Sequence, residues 1–285
     1  MRTLRVLRTG PQALVQDFGR PGHAHLGVPP SGALDRASLA LANRLVGNAD
    51  GAAGLELLLG GLAVVATGSC TVAVTGPQVA VRVNGRARDS PCHLVDGDEL
   101  EVGTPTSGLR CYLAVSGGIS VPEQLGSRSS DLLSGIGPDP VERGDVLPLG
   151  EPTGIPVGVD VLLPARAPDE VEVPVLLGPR DDWFPDPAGQ LTAGSWVVSD
   201  RSNRVGLRLA GTALRRTGAA TGRELPSEGL VTGAVQVPAD GQPVVFLADH
   251  PTTGGYPVIG VVAERALPGL GQARPGTRLR FRVER

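Results

Sequence analysis

The stretch from Glu224 to Pro257 decides the fold of the second half of the chain and reads ELPSEGLVTGAVQVPADGQPVVFLADHPTTGGYP. Valines alternate with polar or small residues as far as Val237, and a Pro-Ala-Asp-Gly turn then interrupts the pattern. An apolar run follows from Val244 to Ala248. Two such runs on either side of a tight turn predict a β-hairpin.

The register of this hairpin decides which polar side chains meet. We assume that Val237 pairs near Pro243, which places Asp249 at the open end of the hairpin, close to Glu228 and Thr252. Asp249 follows an apolar run and therefore emerges from a buried strand, where desolvation or a second carboxylate raises a pKa. A carboxyl group in that position can serve as an acid or a base.

The segment from Thr252 to Tyr256 contains two adjacent glycines. Gly254 and Gly255 permit positive φ angles, which would let backbone N–H groups point at a bound carbonyl or carboxylate group. One interpretation is an oxyanion pocket. The alternative is a tight turn that Asp249 caps, which is the more common role of Asp beside Thr and Gly.

Composition narrows the range of functions. The net charge of −3 and the aromatic content of 3% leave neither a basic face nor stacking rings for nucleic acid. All 26 basic residues are arginines, which excludes a Schiff-base lysine, a Walker-type lysine and a biotinylated lysine in this sequence. A carrier-bound cofactor must therefore come from another protein.

The three cysteines, Cys70, Cys92 and Cys111, lack metal-binding spacing and are expected to be reduced and buried. His23 and His25 are expected in a solvated loop, and no metal site is predicted. The sequence enters a strand pattern directly and has no apolar stretch as long as a membrane span. We therefore expect a soluble cytoplasmic protein.

One helical pattern lies between residues 31 and 48. Its apolar face consists of Leu34, Ala37, Leu41 and Leu45, which recur at helical spacing. Ser31 is expected to cap the start and Gly47 to end the helix. Asp35 and Asn43 are expected to face solvent.

Short alternating runs fill residues 55–115 and predict an antiparallel barrel or sandwich. They are Leu55–Leu57, Ala63–Val65, Thr71–Val74, Val79–Val83, Glu99–Val102 and Tyr112–Val115. The fold class is therefore mainly β. We expect an N-terminal β lobe at 1–150, a Pro-rich linker at 151–170 and a C-terminal β lobe at 171–285 that carries the main site.

Polar candidates also occur outside the hairpin. Asp17 and Arg20 lie in a loop rich in Gly and Pro and can pair with each other or with a ligand. Arg128, flanked by serines, is a candidate carboxylate clamp, with a solvated turn as the alternative. Arg204 belongs to an arginine cluster that either binds an anion or, more often, braces a strand edge.

Several long segments resemble one family. They are QDFGRPGHAHLGVPPSGALDRASLALANRLVGN, LAVSGGI, GSRSSDLL, DRSNRVGLRL, the stretch PSEGLVTGAVQVPADGQPVVFLADHPTTGGYP and GQARPGTRLRF. Together they resemble the second-subunit family of allophanate hydrolase, which includes 5-oxoprolinase C subunits, KipA proteins and the carboxyltransferase region of urea carboxylase. The resemblance covers essentially the whole chain and implies two cyclophilin-like β-barrel lobes with one prominent N-terminal helix.

The resemblance also implies site residues. Carried over by position, the pocket contains Arg204, Glu228, Gln236, Asp249, Thr252, Thr253, Gly254, Gly255 and Tyr256, with Gln16, Asp17, Arg20, Ser127 and Arg128 as candidates in the other lobe. Glu228 and Asp249 are the predicted catalytic pair. Gln236 ranks below them, because the assumed register puts it at the far end of the hairpin. Relatives usually have Arg and Gln at the positions of His250 and Pro251. Any anion contact that this Arg makes in the relatives is therefore in doubt here, unless His250 replaces the Arg.

Three functions are compatible with the resemblance. The first is membership of a heteromeric, ATP-dependent 5-oxoprolinase that opens a small lactam with a KipI/PxpB-like partner and with a LamB/YcsF-type (PxpA-like) protein. The second is the carboxyltransferase component of a biotin-dependent urea or amide carboxylase, with biotin supplied by another protein. The third is a KipA-like regulatory protein that binds a kinase inhibitor and has no turnover of its own.

Overall fold

A computed structural model describes residues 1–157, 168 and 170–284. The chain divides into two compact units. Of the described residues, 1–20, 31–131 and 135–157 belong to the first unit, and 21–30, 132–134, 168 and 170–284 belong to the second. Of the predicted linker, residues 158–167 and 169 lie outside the described residues, and the lobe bounds remain a prediction.

The first unit contains two antiparallel sheets and one α-helix. Its strands are β1 Thr3–Thr9, β2 Gln12–Gln16, β3 Gly54–Leu58, β4 Leu62–Thr67, β5 Cys70–Thr75, β6 Val81–Val83, β7 Arg86–Ala87, β8 Cys92–Leu94, β9 Glu99–Val102, β10 Arg110–Val115 and β11 Val146–Pro148, and α1 is Arg36–Leu45. One sheet has the order β11-β1-β4-β9-β6-β7, and the other has the order β2-β3-β10-β5-β8. Five of the six strand runs predicted between residues 55 and 115 lie within these strands, and the run Val79–Val83 does so only from Val81.

Both sheets contribute to one hydrophobic core. Leu4 and Val6 of β1 are buried while Arg5 between them is exposed, as the alternation of the sequence predicts. Leu57 of β3 and Leu113 of β10 belong to the same core cluster. Strand periodicity therefore selects the buried face of β1, whereas β10 is buried on both faces.

Helix α1 differs from the prediction in its cap and its buried face. Asp35, not Ser31, is the N-cap, and its carboxylate accepts a hydrogen bond from the backbone N–H of Ser38 at 3.0 Å. Asn43 is fully buried and its amide donates to the carbonyl groups of Asp50 and Ala52 at 3.0 and 2.7 Å. Ala37 is exposed instead. The expected solvation of Asp35 and Asn43 was wrong, because each satisfies backbone groups of the surrounding fold.

The second unit contains a closed seven-stranded barrel. The strands of this unit are β12 Glu170–Leu177, β13 Trp196–Val198, β14 Gly206–Ala210, β15 Glu228–Gly229, β16 Ala234–Gln236, β17 Val244–Phe246, β18 Thr253–Gly254, β19 Val258–Val262 and β20 Arg278–Val283. All except β15 and β18 form the barrel, and β15 pairs with β18 in a separate two-stranded ribbon. Its α-helices are α2 Pro187–Ala193 and α3 Leu267–Gly271, and the 3-10 helices of the chain are Ala24–Leu26, Asp181–Trp183 and Glu264–Ala266. The barrel order is β12-β19-β16-β17-β14-β13-β20, and parallel pairing of β12 with β20 closes it.

The predicted hairpin is present in the barrel as β16 and β17. Val235 pairs with Val245 and Gln236 with Val244, which is the register assumed from the sequence. The first strand is shorter than predicted: Gly233 has a φ of 87°, and Val231 before it is 55% exposed. The mainly β fold class is confirmed.

The described part of the chain contains no helix that combines the length and the apolarity needed to cross a membrane. Cys70 and Cys111 are buried free cysteines, as expected, whereas Cys92 is partly exposed. Burial raises the pKa of the Cys70 thiol to about 11, so this group is a neutral thiol at physiological pH.

Candidate functional site

Asp249 is fully buried in an ion pair. Arg204, just before β14, donates from Nε to Oδ2 of Asp249 at 2.8 Å and from Nη2 to Oδ1 at 2.9 Å. The backbone N–H of Asp249 also donates to the carbonyl oxygen of Arg204 at 3.2 Å. The pair joins the start of β14 to the chain that leaves β17. Arg204 therefore stabilises this end of the two strands and does not present a free anion site. Asp249 was expected to exchange a proton with substrate, but both of its carboxylate oxygens accept hydrogen bonds from Arg204.

Glu228 is held by a different arginine. Arg180 donates from Nε to Oε2 of Glu228 at 3.0 Å and from Nη2 to Oε1. The hydrogen bond and the charge of Arg180 lower the pKa of Glu228, which is therefore an ionised carboxylate at neutral pH. The Glu228 side chain is 29% exposed, so a ligand can reach it. Sequence reasoning missed Arg180, which is 48 residues away along the chain.

The loop from Thr252 to Tyr256 runs beside Glu228, as the hairpin register predicts. Glu228 pairs with Gly254 in the short β15–β18 ribbon, and the N–H of Leu230 donates to the carbonyl oxygen of Thr252 at 2.9 Å. Neither Gly254 nor Gly255 has a positive φ. The expected left-handed glycine turn was therefore wrong, because Gly254 continues the ribbon in extended form.

Gln236 lies against this loop and not at a remote end of the site. Its Nε2 donates to the carbonyl oxygen of Tyr256 at 3.1 Å, and a Cβ on Gly254 would lie 2.6 Å from the same nitrogen. Gln236 reaches the loop because β16 also pairs with β19, where Gln236 faces Val258. The pairing with β17 alone did not show this contact, and the rank of Gln236 among the site residues stays a prediction.

His250 is buried at the end of the barrel. Its ring centroid is 6.2 Å from that of Phe246, and Nδ1 lies 2.8 Å from the carbonyl oxygen of Pro251. Whether His250 replaces a family Arg in contacting an anion stays a prediction.

In the first unit, the predicted candidates form one buried network around Asp17. Oδ1 of Asp17 accepts hydrogen bonds from the hydroxyl groups of Ser127 and Ser129, each at 2.6 Å, and from the N–H of Gly19 at 2.7 Å. Oδ2 accepts from the N–H of Arg128 at 2.7 Å. The carboxylate therefore holds the 127–129 loop against the end of β2.

Arginine and glutamine side chains complete this network. Arg20 is buried, donates to the carbonyl oxygen of Ser129, and donates from Nε to that of Gln124 at 3.3 Å. Gln16 donates to the carbonyl oxygen of Ser130 at 2.8 Å. The guanidinium of Arg128 pairs with Glu123 at 2.7 Å. Arg128 thus binds a carboxylate, as one interpretation predicted, but this carboxylate is Glu123 of the same chain.

A second buried network of the first unit had no predicted role. Tyr112 donates to Oε2 of Glu56 at 2.8 Å and accepts from the N–H of Asp35 at 2.8 Å, while Arg110 lies 3.3 Å from Oε1 of Glu56. Burial, and then the charge of Glu56, raises the pKa of Tyr112 well above its ordinary value. Alternation along β3 places Glu56, which lies between two leucines, on the opposite face of the sheet, so periodicity did not indicate its burial.

Residues 1–157, 168 and 170–284 contain no group of three or more His, Cys, Asp or Glu side chains able to hold a metal ion.

Comparison with known proteins assigns the family. Residues 26–283 match the family described as carboxyltransferase domain, subdomain A and B. The chain is 39% identical to the C subunit of 5-oxoprolinase from Escherichia coli, over 98% of this chain and 90% of that protein. The K. lactis urea amidolyase structure matches with a TM-score of 0.90 at 33% identity, over 98% of this chain and 18% of that one. The structure of TTHA0988 matches with a TM-score of 0.87 at 37% identity, over 99% of this chain and 56% of that one. The chain, which spans only part of these two larger proteins, belongs to the carboxyltransferase domain family of subdomains A and B.

Proposed function

We propose that this chain is one component of a heteromeric, ATP-dependent 5-oxoprolinase-type amidohydrolase that opens a small lactam together with a KipI-type partner. The observation that carries this proposal is the 39% identity to the C subunit of 5-oxoprolinase, which extends over nearly the full length of both proteins. A LamB/YcsF-type protein is the second partner that this function calls for. A shared fold alone would support much less, because one fold serves many reactions.

Of the two predicted acids, Glu228 is the one that can act on a substrate. Asp249 is 0% exposed and both its oxygens are bonded to Arg204. Glu228 is partly exposed and already ionised, so it can accept a proton from an attacking water. We assign Glu228 the role of general base and Asp249 the role of holding the barrel end in place.

Arg180 is placed to recognise the carboxylate of the substrate. A guanidinium binds a carboxylate through two parallel hydrogen bonds, and Arg180 already binds Glu228 in that manner. The carboxylate of a cyclic amino acid would compete for the same donors. Such competition would release Glu228 beside the bound ring, where Gln236 and the Thr252–Tyr256 loop can contact the amide group.

ATP, when bound, supplies the phosphoryl group that activates the lactam carbonyl oxygen. This chain has no lysine, so it can hold phosphate groups only through arginine side chains and polar backbone or side-chain donors. Arg215, Arg216 and Arg223 border a single groove of the second unit and fit the charge of phosphate groups. Biotin has no attachment lysine here and would have to come from another protein.

The test is reconstitution of the complex. The chain is mixed with its KipI-type and LamB/YcsF-type partners, and ATP-dependent release of glutamate from 5-oxoproline is measured. A matched reaction omits this chain. Glutamate release that does not depend on this chain, or none at all from the complete mixture, would refute the proposal.

The second candidate is a carboxyltransferase component, which the family match and the K. lactis urea amidolyase structure favour. In that case a biotinylated partner carries the carboxyl group to urea or a related amide. Incorporation of labelled bicarbonate into the amide, dependent on the biotinylated protein, would distinguish this function from lactam hydrolysis.

A further inference from the structure

A groove in the second unit lies next to the predicted site and is bordered by arginines. It has a volume of about 880 Å³ and is lined by the 213–216 and 221–225 segments, the 238–241 turn, and Gly255 with Tyr256. This volume falls within the range of small-molecule binding sites. The groove contains neither Glu228 nor Asp249, so it is separate from the carboxylates of the proposed reaction.

Two of its arginines are oriented by the same tryptophan. The guanidinium carbons of Arg216 and Arg223 lie 5.8 and 5.5 Å from the ring centroid of Trp183, which is buried. The carbonyl oxygen of Trp183 accepts a hydrogen bond from the N–H of Thr217 at 2.8 Å, and Arg216 donates to the carbonyl oxygen of Val237 at 3.0 Å. Stacking restricts both side chains, which lowers the entropy lost when they bind a ligand.

The third arginine belongs to a segment that is also fixed. Gln190 accepts a hydrogen bond from the backbone N–H of Arg215 at 2.7 Å and donates to its carbonyl oxygen at 3.2 Å. The side chain of Arg215 is left exposed at the groove. Three arginines therefore line one groove, and hydrogen bonds or ring contacts tie each of them to its surroundings.

The described residues include no ion-pair partner for these three arginines. Two acids border the groove, and Asp240 uses Oδ1 to accept from the N–H of Gln242 at 3.0 Å. Glu224 is the other. Three cations against two carboxylates leave the groove positively charged.

The number of guanidinium groups indicates the class of ligand. Elsewhere in this unit a carboxylate takes one or two arginines, as in Arg180 with Glu228 and in Arg265 and Arg282 with Glu284. Three arginines along one groove instead suit a chain of phosphate groups, each able to accept several charge-assisted hydrogen bonds. Tyr256, 48% exposed, and Leu225, which is partly buried, offer apolar surface for a planar ring.

We propose that this groove binds a nucleoside triphosphate, with the phosphate groups on Arg215, Arg216 and Arg223 and the base towards Tyr256. The identity of the nucleotide rests on the ATP dependence proposed above, whereas recognition of the phosphate chain rests on the groove alone.

The test uses the full chain and isothermal titration calorimetry with ATP, sodium tripolyphosphate and adenosine. We expect saturable binding of ATP and of tripolyphosphate, with ATP the tighter. The triple variant Arg215→Gln, Arg216→Gln, Arg223→Gln should bind both at least tenfold more weakly, a loss of about 1.4 kcal/mol or more. Arg201→Gln, an exposed arginine of the same unit outside the groove, should bind as the wild type does.

Several outcomes would overturn the proposal. They are the absence of saturable binding by the folded wild-type chain, equal binding by the triple variant, and binding of glutamate as tight as that of tripolyphosphate. The single variant Arg223→Gln, compared by thermal unfolding, keeps the test valid if the triple variant does not fold. An inactive wild-type complex that still binds ATP here would refute the 5-oxoprolinase function and not the groove. A triple variant with an unchanged KM for ATP in an active complex would refute the groove and not the function.

Discussion

Arg180 and Glu228 join the turn after β12 to the short strand β15 through two guanidinium–carboxylate hydrogen bonds. Arg180 is itself anchored, because its backbone N–H donates to the carbonyl oxygen of Val258 at 2.9 Å. The pair places an ionised carboxylate, with a partly exposed side chain, beside Gly254. This relationship underlies the assignment of the general base.

Replacing Glu228 with Gln should abolish turnover and leave the fold intact. The amide cannot accept a proton, so we expect glutamate release by the assembled complex to fall about 10²- to 10⁴-fold. The matched control is Glu172→Gln, since Glu172 forms an exposed pair with Arg282 in the same unit. Full activity of Glu228→Gln would remove this residue from the chemistry.

Replacing Arg180 with Gln should raise the pKa of Glu228 towards its ordinary value. The guanidinium is the main cause of the lowered pKa, so the acid limb of the pH–rate profile should move to higher pH in the variant. A carboxyl whose pKa is lowered by folding stabilises the folded chain above its unfolded pKa. That contribution disappears as pH falls through the folded pKa. NMR titration of the Glu228 carboxyl carbon measures the shift directly, and an unchanged value would contradict the assignment.

Replacing Asp249 with Asn should destabilise the second unit. The change leaves the Arg204 guanidinium buried beside a neutral group, which typically costs about 3–5 kcal/mol. Urea unfolding measures the loss. The double variant Arg204→Met, Asp249→Leu should recover part of it because no charge then remains buried. Retention of wild-type stability by Asp249→Asn would show that the pair does not brace the barrel end.

Replacing Gly254 with Ala should disturb the loop that ends at Tyr256. The new Cβ would lie 2.6 Å from Nε2 of Gln236 and 2.8 Å from Cδ1 of Leu230, and overpacking of this kind costs about 1–3 kcal/mol. Gly229→Ala is the matched control, since its Cβ would meet nothing within 4 Å. A double-mutant cycle with Gln236→Ala measures the coupling, which should be clearly non-zero.

Replacing Asp17 with Asn should loosen the 127–129 loop of the first unit. The carboxylate oxygens of Asp17 accept hydrogen bonds from Ser127, Ser129, Gly19 and Arg128. The Asn side chain would replace one of these oxygens with an NH2 group, which is itself a donor, so about 1–3 kcal/mol of stability should be lost. Asp50→Asn, in the exposed pair with Arg44, should change stability little. Hydrogen exchange of the Arg128 N–H reports on the loop, and unchanged protection would contradict this role.

Local chemistry made much of the fold predictable. Alternation of apolar and polar residues predicted the strands of the first unit, and the Pro-Ala-Asp-Gly turn fixed the hairpin register that pairs Val235 with Val245. The same register correctly brought Glu228 beside the Thr252–Tyr256 loop. These features depend on neighbours within a few residues, which a sequence shows directly.

The partners of the polar groups were decided by the tertiary structure. Glu228 meets an arginine 48 residues earlier, Asp249 one 45 residues earlier, and Asp17 a serine 110 residues later. Gln236 reached its loop only because a third strand, β19, lies on the other side of β16. A charged side chain carries no periodic signal of its partner, and the tertiary fold determines which of 26 arginines lies within hydrogen-bonding distance. The sequence by itself therefore determined the strands and the candidate acids, and the three-dimensional fold determined which acid a ligand can reach.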